Sequence, residues 1–194
     1  PIAVACDPAF NFVYEANIRY LHHLGEVTYF SPLADTSLPD AGFVYLPGGY
    51  PELYLAALSA NRQMLQSIRR YVESGGKLLA ECGGMMYLCD EIRDKNGYVY
   101  PMAGVLHQSA TMENMKLRLG YRTLLYNETR LKGHEFHYSR LVEQQNPLPS
   151  CAVAYTAKGV ETDTPLYHYK NVWAGYTHLY WADPVGNEWF TKFV

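Results

Sequence analysis

Short apolar runs alternate with helical spacing through the first half of the chain, and this alternation constrains the fold more than any other feature. Strand-like runs occur at 2–6, 27–30, 43–46 and 77–81. They are continuous rather than alternating, as in strands that are buried on both faces of a parallel sheet. Between them, apolar residues recur at intervals of three and four, which indicates amphipathic helices. We therefore predict an α/β fold with a parallel sheet flanked by helices.

The second half of the chain has a different pattern, which is richer in tyrosine and in strand-like segments. We expect strands within 98–123, 131–141, 151–156 and 167–173, turns at Asn96-Gly97 and Lys132-Gly133, and a short helix after Pro184. No repeat, low-complexity segment or linker divides the chain. The pattern predicts one domain over residues 1–194, in which an antiparallel β-rich segment is added to the α/β core.

Composition excludes several classes of partner. The 194 residues carry a net charge of −3 and no dense lysine or arginine run, so nucleic acid and anionic membrane surfaces are poor partners. No apolar stretch approaches the roughly 18 residues of a membrane span. The four cysteines form no C-x-x-C pair, which argues against a disulfide framework or zinc ribbon. Reduced thiols and a cytoplasmic location are expected.

The segment Ala80-Glu81-Cys82-Gly83-Gly84 is the strongest local signal for chemistry. A predicted strand leads directly into the cysteine, and two glycines follow before a helix-like stretch. Such a turn exposes its central side chain at the carboxyl end of a sheet. A helix N-terminus also lowers a cysteine pKa, so we expect a thiolate. A buried structural cysteine explains the same residue equally well, and that explanation is the better one for Cys6, Cys89 and Cys151.

A glycine pair follows the third predicted strand, in the segment 46–52, which reads Leu-Pro-Gly-Gly-Tyr-Pro-Glu. In open α/β sheets ligands bind beyond the carboxyl ends of the strands, where such glycines can turn a backbone N–H toward an oxyanion. A tight turn without function is the alternative. The chain contains no G-x-x-x-x-G-K-[ST] phosphate-binding loop.

A cysteine nucleophile needs a base, and seven histidines are available. His178 follows a glycine on a late strand, but spacing alone does not rank it above His107 or His137. His137 lies in the segment 133–139, Gly-His-Glu-Phe-His-Tyr-Ser, where Glu135, His137 and Ser139 share one face of a strand. That face is either a polar wall of a binding site or a solvated surface. It is a weak match to a metal site because it lacks H-E-x-x-H, and we expect no metal.

Taken together, these segments resemble the glutamine amidotransferase domains of cobyrinic acid a,c-diamide synthases. The resemblance covers nearly the whole chain in order. It rests on 80–88, 46–52 and 133–139, and also on 7–12 (Asp-Pro-Ala-Phe-Asn-Phe), 30–35 (Phe-Ser-Pro-Leu-Ala-Asp) and 57–61 (Ala-Leu-Ser-Ala-Asn). It implies a flavodoxin-like class I amidotransferase fold.

The resemblance also implies site roles. Cys82 would be the nucleophile that attacks the side-chain amide of glutamine, and His178 would take the position of the family's catalytic histidine. The backbone N–H groups of Gly49 and Gly83 would hold the oxyanion. Tyr50 is a further candidate for substrate binding.

Two more candidates for substrate binding, Glu135 and His137, come from the polar segment 133–139. Many class I amidotransferases carry a glutamate two residues after the histidine, where this chain has Tyr180. We therefore expect a Cys–His dyad rather than a triad. Glu135 or Asp183 could orient the imidazole instead.

The resemblance further implies an N-terminal synthetase domain that binds ATP and Mg²⁺. Because this chain begins at Pro1 and lacks a phosphate loop, we expect it to be the C-terminal glutaminase portion, with no cofactor of its own. Its partners would be glutamine and that synthetase domain, and an exposed docking surface would favour a homodimer. The alternatives are the same domain in cobyric acid synthase or nickel-sirohydrochlorin a,c-diamide synthase, a related cysteine hydrolase, and a non-catalytic interaction domain.

Overall fold

The structure, a computed structural model, describes residues 1–194. In chain order the strands are β1 (Ile2–Ala5), β2 (Val27–Phe30), β3 (Phe43–Leu46), β4 (Lys77–Glu81), β5 (Glu91–Arg93), β6 (Val99–Pro101), β7 (Ser109–Thr111), β8 (Arg118–Tyr126), β9 (Thr129–His137), β10 (Arg140–Leu141), β11 (Val153–Thr156), β12 (Glu161–Thr162), β13 (Leu166–Tyr169), β14 (Val172–Gly175) and β15 (His178–Leu179). The helices are α1 (Glu15–Leu24), α2 (Leu55–Ala60), α3 (Arg62–Glu73), α4 (Gly83–Leu88) and α5 (Pro184–Phe193), with a short 3₁₀ helix at Pro51–Leu53.

A six-stranded sheet forms the centre of the molecule, in the order β13-β14-β4-β3-β1-β2. Every neighbouring pair is parallel except the edge pair β13 and β14. The predicted parallel sheet is therefore confirmed. Because parallel strands end at the same edge, the residues that follow β3, β4 and β14 lie side by side.

Both faces of this sheet are buried, which explains the continuous apolar runs. In β1, Ala3 and Ala5 face one cluster of core side chains, whereas Ile2 and Val4 face the other. α3 covers the first face, where Met64, Leu65, Ile68 and Val72 are buried. α1 and α5 cover the second face and supply Leu21, Trp189 and Phe190. Burying one such large side chain stabilises the fold by about 1.5–3 kcal/mol.

The predicted β-rich segment is also confirmed, as two smaller sheets. One has the order β10-β7-β5-β6, and the other has the order β12-β11-β8-β9-β15. The long hairpin of β8 and β9 dominates the second sheet. The short strand β15 joins the same sheet by pairing with β9, directly after the chain leaves the central sheet at β14.

The turn expected at Lys132-Gly133 is wrong. Both residues lie inside β9, and the hairpin turns instead at Asn127 and Glu128, which have φ of 43° and 67°. Gly133 is needed for space, because a Cβ there would lie 2.5 Å from Cγ2 of Thr177. The glycine therefore permits the close approach of β15, and does not mark a turn.

Other boundaries also differ from expectation, and the predicted strand 131–141 is divided between β9 and β10. The segment 167–173 is not one strand but the hairpin of β13 and β14, which turns at Lys170 with φ of 51°. The segment 98–123 is divided among β6, β7 and the first part of β8, and β5 was not expected. The turn at Asn96-Gly97 and the helix after Pro184 are confirmed. No helix is both long and apolar enough to span a bilayer.

Candidate active site

Cys82 lies on the turn between β4 and α4, as the strand–cysteine–glycine pattern predicts. Its backbone has φ of 49° and ψ of −108°, a conformation that non-glycine residues rarely adopt. The turn is tight because a Cβ on Gly84 would lie 2.8 Å from the carbonyl carbon of Leu46. The two glycines after Cys82 thus let α4 start directly against β3.

The thiol of Cys82 is enclosed, with only 4% of the residue exposed. Its sulfur donates a hydrogen bond to the carbonyl oxygen of Phe136, at 3.6 Å. Burial raises the pKa of Cys82 well above its ordinary value, and the nearby carboxyl of Glu52 acts in the same direction. The backbone N–H of Gly83 faces the sulfur and opposes this shift. The expected thiolate is therefore wrong for the resting protein, because burial outweighs the helix terminus.

The glycine pair after β3 packs against this turn. A Cβ on Gly83 would lie 3.2 Å from the carbonyl oxygen of Gly49 and 2.7 Å from Cδ of Pro51. Gly49 itself has φ of 155° and lies against the backbone of Ala9. The segment 46–52 and the Cys82 turn therefore meet at the carboxyl edge of the sheet. Tyr50 is 41% exposed beside them.

His178 is the histidine that the fold brings to the glycine loop. A Cβ on Gly48 would lie 2.9 Å from Nδ1 of His178, so the imidazole rests directly on this glycine. Phe12 covers the ring at 4.4 Å between centroids, and only 3% of His178 is exposed. Burial lowers the pKa of His178 to about 3, with smaller contributions from His134 and His137. The imidazole is therefore neutral. His107 is exposed and pairs with Asp90.

Glu135 and His137 lie on one face of β9, as predicted, whereas Ser139 lies beyond the end of that strand; all three residues are buried. One carboxylate oxygen of Glu135 lies 2.7 Å from Nε2 of His137, and the other accepts bonds from Arg122 at 2.5 Å and from Thr164 at 2.8 Å. Burial alone would raise the pKa of Glu135, but the bonds from His137 and Thr164, with the charge of Arg122, lower it.

Two further contacts position the ring of His137. Its Nδ1 lies 2.8 Å from the carbonyl oxygen of Ser139, and its ring stacks on Tyr176 at 3.6 Å. Both ring nitrogens therefore face oxygen atoms, and these contacts fix the orientation of the ring. Together with Glu135 it forms an internal charged network next to the thiol.

Neither carboxylate that was considered as a triad member bonds to His178. Glu135 is committed to its own network, and Asp183 caps α5 by accepting a bond from Gly186 at 2.6 Å. Nδ1 of His178 is buried without a hydrogen-bond partner. The glycine loop therefore contacts both the ring of His178 and the turn that carries Cys82, and neither carboxylate bonds to that ring.

Comparison with known families shows what kind of domain this is. Residues 1–185 match the CobB/CobQ-like glutamine amidotransferase domain. The chain belongs to this family. As a glutamine amidotransferase domain it is 40% identical, over 92% of its length, to the hydrogenobyrinate a,c-diamide synthase of Pseudomonas aeruginosa. It is also 40% identical to the cobyrinate a,c-diamide synthase of Fusobacterium nucleatum, again over 92% of the chain. It spans 41% of the length of each of these enzymes.

Solved structures agree on the fold of the domain. A crystal structure of a glutamine amidotransferase superposes with a TM-score of 0.64 at 17% identity, and it covers 99% of this chain and 97% of its own. The PurLQS structure from Thermotoga maritima gives a TM-score of 0.61 at 18% identity, over 91% of this chain and 86% of its own. The flavodoxin-like class I amidotransferase fold that the sequence implies is thereby confirmed.

An open cavity of about 630 Å³ adjoins the charged network of the amidotransferase domain. Glu135, His137 and Tyr176 form part of its wall, and Arg118 and Gln108 line it as well. The side-chain nitrogen of Gln108 is buried there without a partner. This places two of the candidate substrate-binding residues, Glu135 and His137, on a cavity wall. No group of three or more metal-ligating side chains is arranged to hold a metal ion.

Three residues of the site were not singled out from the sequence. Glu81 is a buried carboxyl directly before Cys82, and its position in an apolar strand was a visible signal. Glu52 closes the glycine loop, and burial raises the pKa of its carboxyl close to the thiol. Asn17, in the first turn of α1, is fully buried and bonds to the backbone of Leu179 beside His178, and no local sequence pattern indicates this role.

Proposed function

We propose that this domain hydrolyses glutamine through a thioester on Cys82 and supplies ammonia for amidation of the a and c carboxylates of cobyrinate or hydrogenobyrinate, in cobalamin biosynthesis. The supporting observation is the thiol of Cys82 on a strained turn, with the N–H of Gly83 facing it and a neutral His178 on the adjoining glycine loop. The names of the relatives support the acceptor.

In the first half of the reaction, the sulfur of Cys82 attacks the side-chain carbonyl carbon of glutamine while its proton passes to His178. The carbonyl oxygen becomes an oxyanion, which the backbone N–H groups of Gly49 and Gly83 stabilise. The imidazolium then protonates the amide nitrogen. The carbon–nitrogen bond breaks, ammonia departs, and a γ-glutamyl thioester remains on Cys82.

In the second half, water attacks the thioester while neutral His178 accepts one of its protons. The same N–H groups hold the second oxyanion. When this intermediate collapses, the carbon–sulfur bond breaks, glutamate leaves, and the proton returns from the imidazole to the thiolate. The cycle consumes one water molecule and releases one ammonia molecule per glutamine.

The resting charges predict a slow basal reaction. Burial keeps Cys82 protonated and His178 neutral, so the thiolate–imidazolium pair has to form at the moment of attack. A bound amide substrate supplies polar groups next to the thiol, and a partner domain that closes over the site would hold that substrate in place. Glutamine hydrolysis would then be tied to the presence of an ammonia acceptor.

The rest of the proposed enzyme lies in a partner. Since the chain spans about two fifths of its curated relatives, activation of the acceptor carboxylates belongs to the remaining part, which would use ATP and Mg²⁺. This domain needs no cofactor for the thioester chemistry. Its proposed partners are therefore glutamine and that synthetase part, and the acceptor is bound elsewhere.

The first test is labelling with 6-diazo-5-oxo-L-norleucine, an electrophilic analogue of glutamine, followed by peptide mass spectrometry. A single adduct on Cys82, which excess glutamine prevents, is expected. Cys6, exposed on the surface, and Cys89, buried in the core, serve as internal controls within the same chain. An adduct on another cysteine, or labelling that glutamine does not slow, contradicts the proposal.

The second test addresses the acceptor. The complete synthase is supplied with ATP, Mg²⁺, amide-labelled glutamine and either cobyrinate, hydrogenobyrinate or nickel-sirohydrochlorin. Transfer of the label to the a and c positions of one of the first two corrinoids is expected, and Cys82→Ala in the same enzyme should abolish it. Label transfer to the nickel compound alone would replace the proposed acceptor while leaving glutamine hydrolysis intact.

A further inference from the structure

The strand that carries His178 is too short to fix the imidazole by itself. β15 has two residues, and its pairing with β9 holds it on one side. Asn17 holds it on another side, since it donates to the carbonyl of Leu179 at 2.8 Å and accepts from the N–H of Trp181 at 2.9 Å. Because Nδ1 of the His178 ring is unpartnered, the ring is positioned by this backbone and by its contacts with Gly48 and Phe12.

A third bond reaches the same segment from the strand that carries the thiol. Oε1 of Glu81 accepts the backbone N–H of Leu179 at 3.0 Å, and Oε2 accepts the hydroxyl of Tyr45 at 2.7 Å. Glu81 is the last residue of β4 and precedes Cys82, whereas Leu179 follows His178. One side chain therefore links the two strands at the positions next to the proposed nucleophile and base.

A carboxyl at this position is unfavourable for packing alone. Glu81 is 2% exposed and ends a strand whose residues Leu78, Leu79 and Ala80 are buried and apolar. Burial raises its pKa to about 8, although the bonds from Tyr45 and Leu179 oppose the shift. An apolar side chain of similar size would fill the space without this desolvation cost. We therefore expect the carboxyl of Glu81 to have a role beyond packing in the core.

We propose that Glu81 is a positioning residue, which sets the distance and angle between the Cys82 thiol and the His178 imidazole by joining β4 to β15. The inference rests on the proposed Cys82–His178 mechanism. A triad carboxylate would hold the imidazole by bonding to its ring. Glu81 instead holds the segment that carries the imidazole, by accepting the backbone N–H of Leu179. Errors of about 1 Å in such a pair cost roughly 100-fold in rate.

The test compares three substitutions in the 194-residue chain. Glu81→Leu removes the acceptor, Glu81→Asp shortens its reach, and Glu81→Gln keeps both acceptor and length. We expect kcat for glutamine hydrolysis to fall about 10- to 100-fold in the Leu and Asp variants, with KM within about twofold. Glu81→Gln should keep kcat within about threefold of the wild-type value. Any decline of kcat at alkaline pH that is caused by ionisation of the Glu81 carboxyl should be absent from this variant.

Val72→Ala, a cavity-forming change in the buried core at α3, is the control for lost stability. It should lower the melting temperature while kcat stays unchanged. If Glu81→Leu does not fold, Glu81→Asp decides the matter. Wild-type kcat in folded Leu or Asp variants, or a loss in Glu81→Gln as large as in Glu81→Leu, overturns the proposal.

A separate readout distinguishes this inference from the mechanism on which it rests. If Cys82→Ala retains glutamine hydrolysis, the proposed function fails, whatever Glu81 does. If the wild-type chain turns over glutamine too slowly, alkylation of Cys82 by iodoacetamide is followed instead as a function of pH. In the Glu81→Leu and Glu81→Asp variants, iodoacetamide should alkylate Cys82 about tenfold more slowly than in the wild type, because a displaced imidazole accepts the thiol proton less well. Equal rates in all variants overturn the proposal.

Discussion

Gly133 sits where the β-rich sheet meets the strand of the proposed catalytic histidine, and its replacement by alanine gives the sharpest prediction. It lies within β9, opposite Leu179 of β15. An added Cβ would lie 2.5 Å from Cγ2 of Thr177 and 3.0 Å from the carbonyl carbon of His178. The added Cβ would also overlap the carbonyl oxygen of His178, and because ordinary van der Waals contact begins at 3.4 Å, the backbone of β15 must move by about 1 Å.

The magnitude follows from this displacement. Forcing a methyl group into a packed site costs about 1–3 kcal/mol of stability. For a domain of this size, that lowers the melting temperature by about 2–12 °C. A shift near 1 Å in His178 costs roughly 100-fold in kcat, which corresponds to about 2.7 kcal/mol in the activation barrier. The activity loss should therefore exceed what the unfolded fraction explains at 25 °C.

The assay measures glutamate release and thermal unfolding of the same preparation, with Gly42→Ala as the matched control. A Cβ on Gly42 would lie 3.7 Å from the carbonyl oxygen of Pro1, in ordinary contact, so this variant should behave as the wild type. A Gly133→Ala variant with wild-type kcat would refute the argument that β15 sets the position of the base. So would a loss of activity that merely tracks unfolding.

Three further predictions concern other parts of the site. Cys82→Ala should abolish glutaminase activity without altering the circular dichroism spectrum, whereas Cys89→Ser should remain active; activity in the former contradicts the nucleophile assignment. Arg122→Ala leaves buried Glu135 without its ion-pair partner and should lower the urea-derived unfolding free energy by about 3 kcal/mol; a change below about 1 kcal/mol contradicts this. Because the pKa of Glu81 is raised from 4.5 to about 8, folding keeps a proton that the unfolded chain loses, so stability should fall as pH rises through this window. Melting temperatures measured between pH 4.5 and 8 should depend less on pH in Glu81→Gln than in the wild type. An unchanged dependence would mean that another group causes it.

The sequence was sufficient for the parts of the site that lie in continuous segments. β4 ends at Glu81 as predicted, and Cys82 follows on a turn because a short apolar strand, a cysteine and two glycines permit little else. The glycine loop after β3 could be placed beside it by the rule that parallel strands end at one edge. These features depend on neighbours along the chain.

The histidine could not be chosen in this way. His107, His137 and His178 have similar local patterns, and what separates them is contact with distant residues. His178 rests on Gly48 and its strand bonds to Glu81, whereas His107 is exposed. The thiolate prediction failed for a related reason. A helix terminus is visible in sequence, but the burial that raises the pKa of Cys82 arises only in the assembled fold.

The parallel pairing of β4 with β14 sets when the site can exist during synthesis. The backbone N–H of Cys82 bonds to the carbonyl oxygen of Gly175 at 2.7 Å, so the turn of the thiol is completed by a residue far along the chain. Long-range parallel pairing of this kind is slow to form, and chains are made from the N-terminus. A nascent chain therefore contains Cys82 long before the pairing that completes its turn can form. Until β14 emerges from the ribosome, β4 is an edge strand paired only with β3, and the turn of Cys82 lacks its bond to Gly175.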